Sequence, residues 1–287
     1  EIYQCDWSSD VCSSDLDEHG SYTDLALVGE GEQSFSSLLE SYPDFKTVPG
    51  AWTADYYAGE ADRIQEFPHK LSPYLAGFYD SIVAEAKQQN RVIQALLQTN
   101  RGCPYHCTFC EEGRDYKNKM FFYDRQRIFD EVEWCARNGV EYLTIGDDNW
   151  GIVDTDVEVM RWIRDCKIKY GYPDIVDATY AKNNPDNLLT MASIDQEHDT
   201  RLIRGITIAL QSMHTPTLSS IKRFNLMPDK QHQLIQGLNK IGMPTYTELI
   251  WPLPYETYDT LLSGIDATIS MGLTNWVGDR KSTRRTP

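Results

Sequence analysis

The chain has 287 residues, 41% of them hydrophobic, with 43 acidic against 27 basic side chains and a formal charge of −16. That balance fits one large or two small domains with an acidic surface, and it argues against unspecific binding to nucleic acid, whose phosphates need a positive field. No apolar run approaches the ~20 residues of a membrane-spanning helix.

Both ends match no fold pattern. Residues 1–16, EIYQCDWSSDVCSSDL, and residues 279–287, DRKSTRRTP, read like a translated sequencing adapter. Such segments are set aside before fold reasoning. Residues 17–278 are then the natural stretch, expected to be cut at both ends, and Cys5 and Cys12 drop out of the seven cysteines. The basic residues Arg280, Lys281, Arg284 and Arg285, which would otherwise suggest a nucleic-acid tail, drop out with them.

In chain order, Asp24–Val28 is a short apolar strand, Gly29-Glu30-Gly31-Glu32 a turn, and Ser34–Leu39 a helix, the order of an α/β unit. Residues 43–90 read as a connector, because Pro43, Pro49, Gly50, Gly59, Pro68 and Pro73 interrupt any long element before a helix at Tyr79–Gln89. From Val92 onward, strands alternate with helices. Strands are expected at Val92–Gln98, Tyr142–Ile145, Ile175–Tyr180, Ile206–Leu210 and Thr245–Ile250, with a sixth starting at Thr274. Helices are expected at Arg125–Arg137, Thr155–Tyr170, Pro185–Ala192, Pro216–Arg223, Lys230–Ile241 and Tyr258–Met271. The first of these repeats Ile128, Val132 and Cys135 at helical spacing. Five or six such units imply a parallel sheet with helices outside it.

The first of these strands runs into Cys103-Pro104-Tyr105-His106-Cys107-Thr108-Phe109-Cys110, a C-x3-C-x2-C spacing without a nearby fourth cysteine. Three thiolates can hold three irons of a 4Fe–4S cluster and leave the fourth iron open to a substrate. Ferredoxin spacings carry four cysteines, and a structural zinc site takes four ligands. His106 lies inside the triad, where one metal ion could hardly collect all four side chains. A non-catalytic iron–sulfur or zinc-binding protein is the alternative. Cys135 and Cys166, on expected helices, read as packing residues.

The cysteine run, with Phe109 just before the last cysteine, resembles the radical S-adenosylmethionine (SAM) superfamily. Four further stretches resemble its cobalamin-binding-domain-containing type: the G-E-G-E turn at 29–32, the D-x-N-x-G turn at 147–151, Gln211-Ser212-Met213 with Lys222-Arg223-x-Asn225 downstream, and Leu253-Pro254-Tyr255-Glu256-Thr257. The likeness spans residues 24–278. It implies an α/β fold with a partial (β/α)6 TIM-like barrel over 91–278, cut at its C-terminal end. Residues 17–42 are then the C-terminal remnant of an α/β cobalamin-binding domain. That domain's D-x-H-x-x-G ligand motif would lie upstream, and Asp17-Glu18-His19-Gly20 is a coincidence. In barrels of this kind the chemistry sits at the C-terminal ends of the strands, where the cysteine loop falls.

The implied chemistry is reductive cleavage of SAM to a 5′-deoxyadenosyl radical by a 4Fe–4S cluster on Cys103, Cys107 and Cys110. It serves cobalamin-dependent methyl transfer, cyclisation or rearrangement of an unknown small molecule, with cobalamin held in the missing N-terminal part. An external donor of flavodoxin or ferredoxin type would supply the electron. Neither nucleic acid nor membrane is an expected partner, and the free thiols favour a reducing cytoplasm. For SAM, the resemblance implies Gln211 and Ser212 on the ribose hydroxyls, Arg223 on the carboxylate and Phe109 on the adenine; Asp148 and Asn149 face SAM or substrate. Three departures stand out. Pro252 and Tyr255 replace glycines, so Tyr255 is expected to narrow the pocket. Glu112 puts a charge at the cluster mouth. Ile194–Thr200 is more polar than in relatives, as for a divergent loop or a frame error.

Overall fold

The structure is a computed structural model that describes residues 24–53, 55–59, 61–64, 72–113, 119–181, 183–273 and 275–279, and the backbone of Ile2–Cys5. The chain divides into two compact units, Glu1–Glu66 and Phe67–Pro287.

In the first unit, β1 (Ile2–Cys5), β2 (Leu25–Val28), β3 (Ala51–Thr53) and β4 (Tyr56–Tyr57) form one sheet in that order. Helix α1 (Gly31–Ser41) follows β2 and sends Leu38 into a small core with Leu25, Leu27, Val48 and Ala51. Gly50 has φ +79, and a Cβ there would lie 2.3 Å from the carbonyl oxygen of Val28, so the chain must be bare where it folds back on β2. Glu30, in the acidic turn, accepts a hydrogen bond from the Ile64 N–H at 2.5 Å and pairs with Arg63 at 3.4 Å. The first part of the stretch read as connector therefore belongs to this sheet. Its prolines and glycines mark real turns, but strands of two and three residues are too short to show a period. A strand also stands where the N-terminal segment was expected to match no fold: β1 pairs in parallel with β2 from Ile2–Leu25 to Cys5–Val28. Backbone ladders need only an open edge, whatever the side chains. Trp7, the sequence at 17–20 and residues 280–287 lie outside the described residues.

In the second unit, strands and helices alternate in the expected order. The elements are α2 (Asp80–Gln88), β5 (Gln94–Leu97), β6 (Asn100–Arg101), β7 (Phe121–Phe122), α3 (Arg125–Arg137), β8 (Tyr142–Trp150), α4 (Asp154–Tyr170), β9 (Ile175–Tyr180), α5 (Pro185–Glu197), β10 (Ile206–Thr207), α6 (Thr215–Ser220), α7 (Pro228–Lys240), β11 (Thr245–Ile250), α8 (Tyr258–Ser270) and β12 (Trp276–Asp279). Six of these strands form two parallel sheets, β5-β8-β9 and β10-β11-β12. A bridge between Val176 and Ile203 brings the chain ahead of β10 alongside β9. The α/β class and the parallel sheet are as expected, but no closed barrel is found among the described residues: β5 and β12 each end a sheet. Helices α3, α4, α5 and α7 cover the strands and build the core from Val132, Leu143, Met160, Ile163, Leu188 and Leu238. Cys135 and Cys166 sit inside it as packing residues.

Three boundaries differ from the sequence reading in ways that matter for the site. β8 continues to Trp150 through the Gly146–Asn149 stretch that was read as a turn. α6 ends at Ser220, and Lys222 takes φ +52, so Arg223 lies in the following loop, not on the helix. α5 runs on to Glu197 through the stretch read as a divergent loop. Its Asp195 is fully buried and accepts hydrogen bonds from the backbone N–H groups of Leu202 at 2.7 Å and Ile203 at 3.2 Å, and from the Thr200 hydroxyl at 3.1 Å. A carboxylate on the buried face breaks the apolar period, yet it serves as a cap for the chain entering β10. Removing it leaves two buried donors bare. Asp195→Ala should therefore destabilise the fold by ~2–4 kcal/mol, read as a lowered urea midpoint with an unchanged m-value.

Candidate active site

The cysteine loop leaves the sheet after β5. Its two ends are pinned together by β6 and β7, which pair antiparallel through Asn100–Phe122 and Arg101–Phe121. Inside it, the Cys110 N–H donates to the Cys107 carbonyl at 3.0 Å and the Gly113 N–H to the Cys110 carbonyl at 3.1 Å, so the motif closes into a 3₁₀ turn at Glu111–Gly113. A Cβ on Gly113 would lie 2.4 Å from the Cys107 carbonyl oxygen, so only glycine lets the loop fold this tightly. The Thr108 N–H donates to the Ile221 carbonyl at 3.0 Å and docks the loop beside the end of α6. Cys103 and Cys107 are buried, Cys110 is half-buried, and all three are free. Burial pushes the thiols of Cys103 and Cys110 up from their ordinary range.

Strand β8 meets this loop through a bulge. Between the pairs Ile145–Ala178 and Trp150–Tyr180, four residues of β8 face one of β9. Bulges of this kind re-aim side chains. Here Asp147, only 3% exposed, accepts hydrogen bonds from the Thr99 N–H at 2.7 Å, the Asn100 N–H at 3.2 Å and the Asn100 side-chain amide at 2.8 Å, besides a short one from the Thr99 hydroxyl. Two residues further on, the Asn149 amide donates to the Cys103 sulfur at 3.1 Å. A second buried carboxylate, Asp156 at the start of α4, accepts from the Gly151 N–H at 2.8 Å and lies 3.5 Å from the Thr99 hydroxyl.

The chain that follows β10, which ends at Thr207 and not at the expected Leu210, approaches from the other side. Gln211 takes φ +67, a left-handed conformation that costs a non-glycine residue ~1 kcal/mol or more. It is held there by its N–H to the Glu248 carbonyl at 2.8 Å and by the Ile250 N–H to its own carbonyl at 2.9 Å. Its side-chain oxygen is buried with no partner among the described residues. Arg223 donates to the Ala209 carbonyl at 2.5 Å and to the Asn225 side chain at 3.2 Å, and its third nitrogen stands 3.7 Å from the Cys107 sulfur. It therefore ties the cysteine loop to this stretch.

A cavity of about 400 Å³ has Cys103, Cys107 and Cys110 in its wall and brings in Phe109, Glu112, Asp148, Asn149, Gln211 and Arg223. Ser212 stays outside it, buried, with its hydroxyl accepting the His214 N–H at 3.0 Å. Tyr255 does not narrow it either; it is 72% exposed and not among the lining residues. Phe109 also packs on the small apolar cluster of Ile221, Ile250 and Leu253. A second cavity, of about 520 Å³, shares Tyr105, Cys107, Asn149 and Arg223 with the first and adds His106, Asn183, Lys222 and Phe224. Among the described residues no three His, Cys, Asp or Glu side chains converge on one metal ion. Sequence reading missed Asp147, Lys222 and Asn183. Asp147 and Lys222 stood in the D-x-N-x-G and Lys-Arg-x-Asn stretches without a role, and nothing in the pattern said which of the two acids at 147–148 would turn inward.

No family model matches the chain. The 2-(S-pantetheinyl)-carbapenam-3-carboxylate methyltransferase of Streptantibioticus cattleyicolor is 34% identical over 259 residues, 88% of this chain and 38% of that protein. The cobalamin-dependent radical SAM methyltransferase TokK of Streptomyces tokunonensis matches to the same extent. The chain thus spans 38% of the length of these curated relatives. The fold resembles the solved structure of the radical SAM methyltransferase TsrM from Kitasatospora setae, bound to cobalamin and a [4Fe-4S] cluster, with a TM-score of 0.62 at 14% identity over 92% of this chain and 52% of that one. It also resembles the cobalamin-dependent SAM radical enzyme OxsB, with a TM-score of 0.57 at 14% identity over 93% and 43%.

Burial pushes the Asp147 carboxyl up to about 7, against the pull of its donors, and Asp156 up to about 6. The folded chain therefore holds protons that the unfolded chain has released between the ordinary carboxylate range and pH 7, and stability falls as pH rises through that window. Asp147→Asn cannot ionise. Between pH 5 and 8 the parent should lose stability relative to this variant, as measured by urea unfolding at both pH values. A constant difference would show that Asp147 is already ionised at pH 5.

Proposed function

We propose that this chain, a homologue of the cobalamin-dependent radical SAM methyltransferases, carries the radical-generating part of such an enzyme. The observation that supports this most is the meeting of the three cysteines with Asn149, Gln211 and Arg223 around one cavity. On this reading the two parallel sheets are parts of an open (β/α)6 barrel, and the first unit is the end of a cobalamin-binding domain.

The residues suit the cofactors chemically. Cys103, Cys107 and Cys110 would hold the cluster, and the N–H groups of Asn149 and Arg223, aimed at the Cys103 and Cys107 sulfurs, suit thiolates better than neutral thiols. The orphaned Gln211 oxygen awaits a donor and would accept a ribose hydroxyl or the amino group of SAM. When bound, the cluster supplies one electron to SAM, whose cleavage yields methionine and a 5′-deoxyadenosyl radical. The chain's own tasks are to fix the cysteine loop, to orient SAM through Gln211, Asp148 and Arg223, and to keep water out with Phe109. The 520 Å³ cavity would take the substrate. Among the described residues its lining holds no carboxylate, and Lys222 occupies a left-handed position where glycine is the usual residue. That sign of charge favours an anionic substrate, and methyl transfer is the reaction the relatives suggest. An external donor of flavodoxin or ferredoxin type would deliver the electron.

Anaerobic reconstitution should give about four irons per chain. Cys103→Ala, Cys107→Ala and Cys110→Ala should each abolish the cluster, while Cys135→Ala and Cys166→Ala keep it. One zinc per chain and no iron would support the non-catalytic alternative instead.

SAM affinity, measured by equilibrium dialysis, should fall by ~0.5–1.5 kcal/mol in Gln211→Ala, as for a neutral hydrogen bond. Arg223→Ala should cost ~1.5–3 kcal/mol and lower the iron content as well, because its side chain also braces the cysteine loop. Lys222→Ala should leave SAM affinity unchanged; a loss there would move the lysine from the substrate to SAM.

A further inference from the structure

The hydrogen bond from Asn149 to Cys103 is a feature that the cysteine motif does not require. Holding sulfur needs only the cysteine, yet the fold spends a bulge and a buried carboxylate on bringing an amide to it. The bulge lifts residues 146–149 out of the ladder with β9. Asp147 then clamps the lifted segment to Thr99 and Asn100 through four hydrogen bonds. Those two residues lead directly into Arg101-Gly102-Cys103, so the clamp fixes the distance between the bulge and the first cysteine. Asn149, 6% exposed, has its amide nitrogen 3.1 Å from the sulfur as a result. A buried amide in this position has no competition from water, so the bond stays made.

We infer that Asn149 is a positioning residue for the cluster's electronics, an amide donor that stabilises extra electron density on the Cys103 sulfur, with Asp147 holding it in place. This rests on the cluster being held as proposed above. Iron–sulfur potentials respond to hydrogen bonds on the ligand sulfurs. A donor favours the reduced state, because the added electron is partly carried by sulfur. The sequence D-x-N then has a division of labour: the Asp sets the register and the Asn touches the ligand. Neither residue has to contact SAM for this role.

The test is a redox titration of the reconstituted chain followed by electron paramagnetic resonance. Asn149→Leu keeps the size and removes the donor. At the parent's midpoint, its ratio of reduced to oxidised cluster should fall from one to about one-tenth, which corresponds to ~59 mV for a one-electron couple. Asn149→Asp, which places an acceptor against the sulfur, should lower it further. Iron content should match the parent in both. If a variant fails to assemble a cluster, the parent grown with 15N-asparagine gives the answer: a 15N hyperfine coupling to the reduced cluster is expected. A parent without that coupling, or an Asn149→Leu midpoint equal to the parent's, overturns the inference while leaving the cluster assignment intact. A parent chain that assembles no iron–sulfur cluster overturns the assignment and this inference together.

Discussion

The site depends on a single buried carboxylate. Asp147 receives its donors from residues 99–100, which are far from it in sequence and just ahead of the first cysteine. Strand exits are ordinarily independent of one another; each can drift with its own loop. Here the exit of β8 and the exit of β5 are one piece, because a low-dielectric clamp with several donors cannot be opened halfway without baring polar groups. Everything that touches the cysteines from the β8 side inherits its position from this clamp.

The opposite wall is built by other means. Gln211 and Lys222 both take left-handed backbone and each lines a cavity. Arg223 then bridges three structures: the Ala209 carbonyl in the chain that follows β10, Asn225, and the Cys107 sulfur. Strain of this sort persists only where the surroundings hold it, and here the ladder with β11 holds Gln211 from both its N–H and its carbonyl. The cysteine loop is therefore gripped from two sides by groups that do not move independently.

Charge is distributed against the average. The chain is strongly acidic overall, yet the described lining of the 520 Å³ cavity beside Cys107 includes Lys222, Arg223 and His106 and no carboxylate, while Glu112 and Asp148 stand in the smaller one. The two cavities meet at Cys107 and share Arg223, so the basic side chain stands in both.

Much of the fold was legible from the residues alone. Ile175–Tyr180 and Thr245–Ile250 carry their strand limits in their apolar pattern, and Arg125–Arg137 its helix limits, because burial on one face imposes a period that composition cannot imitate. The cysteine triad was equally plain, since its chemistry depends on spacing along the chain. What stayed hidden was whatever depends on contacts between distant segments. Asp195 looked like a breach in a helix and is a cap for residues seven and eight positions on. Ser212 looked like a pocket residue and is folded under a turn. Asn149 lines both cavities, and its amide is also spoken for by a cysteine that no spacing linked to it. A local pattern reports which side of an element is buried. Which partner waits on that side is decided only when the strands are brought into register, and the bulge that set this register left no periodic trace in the sequence.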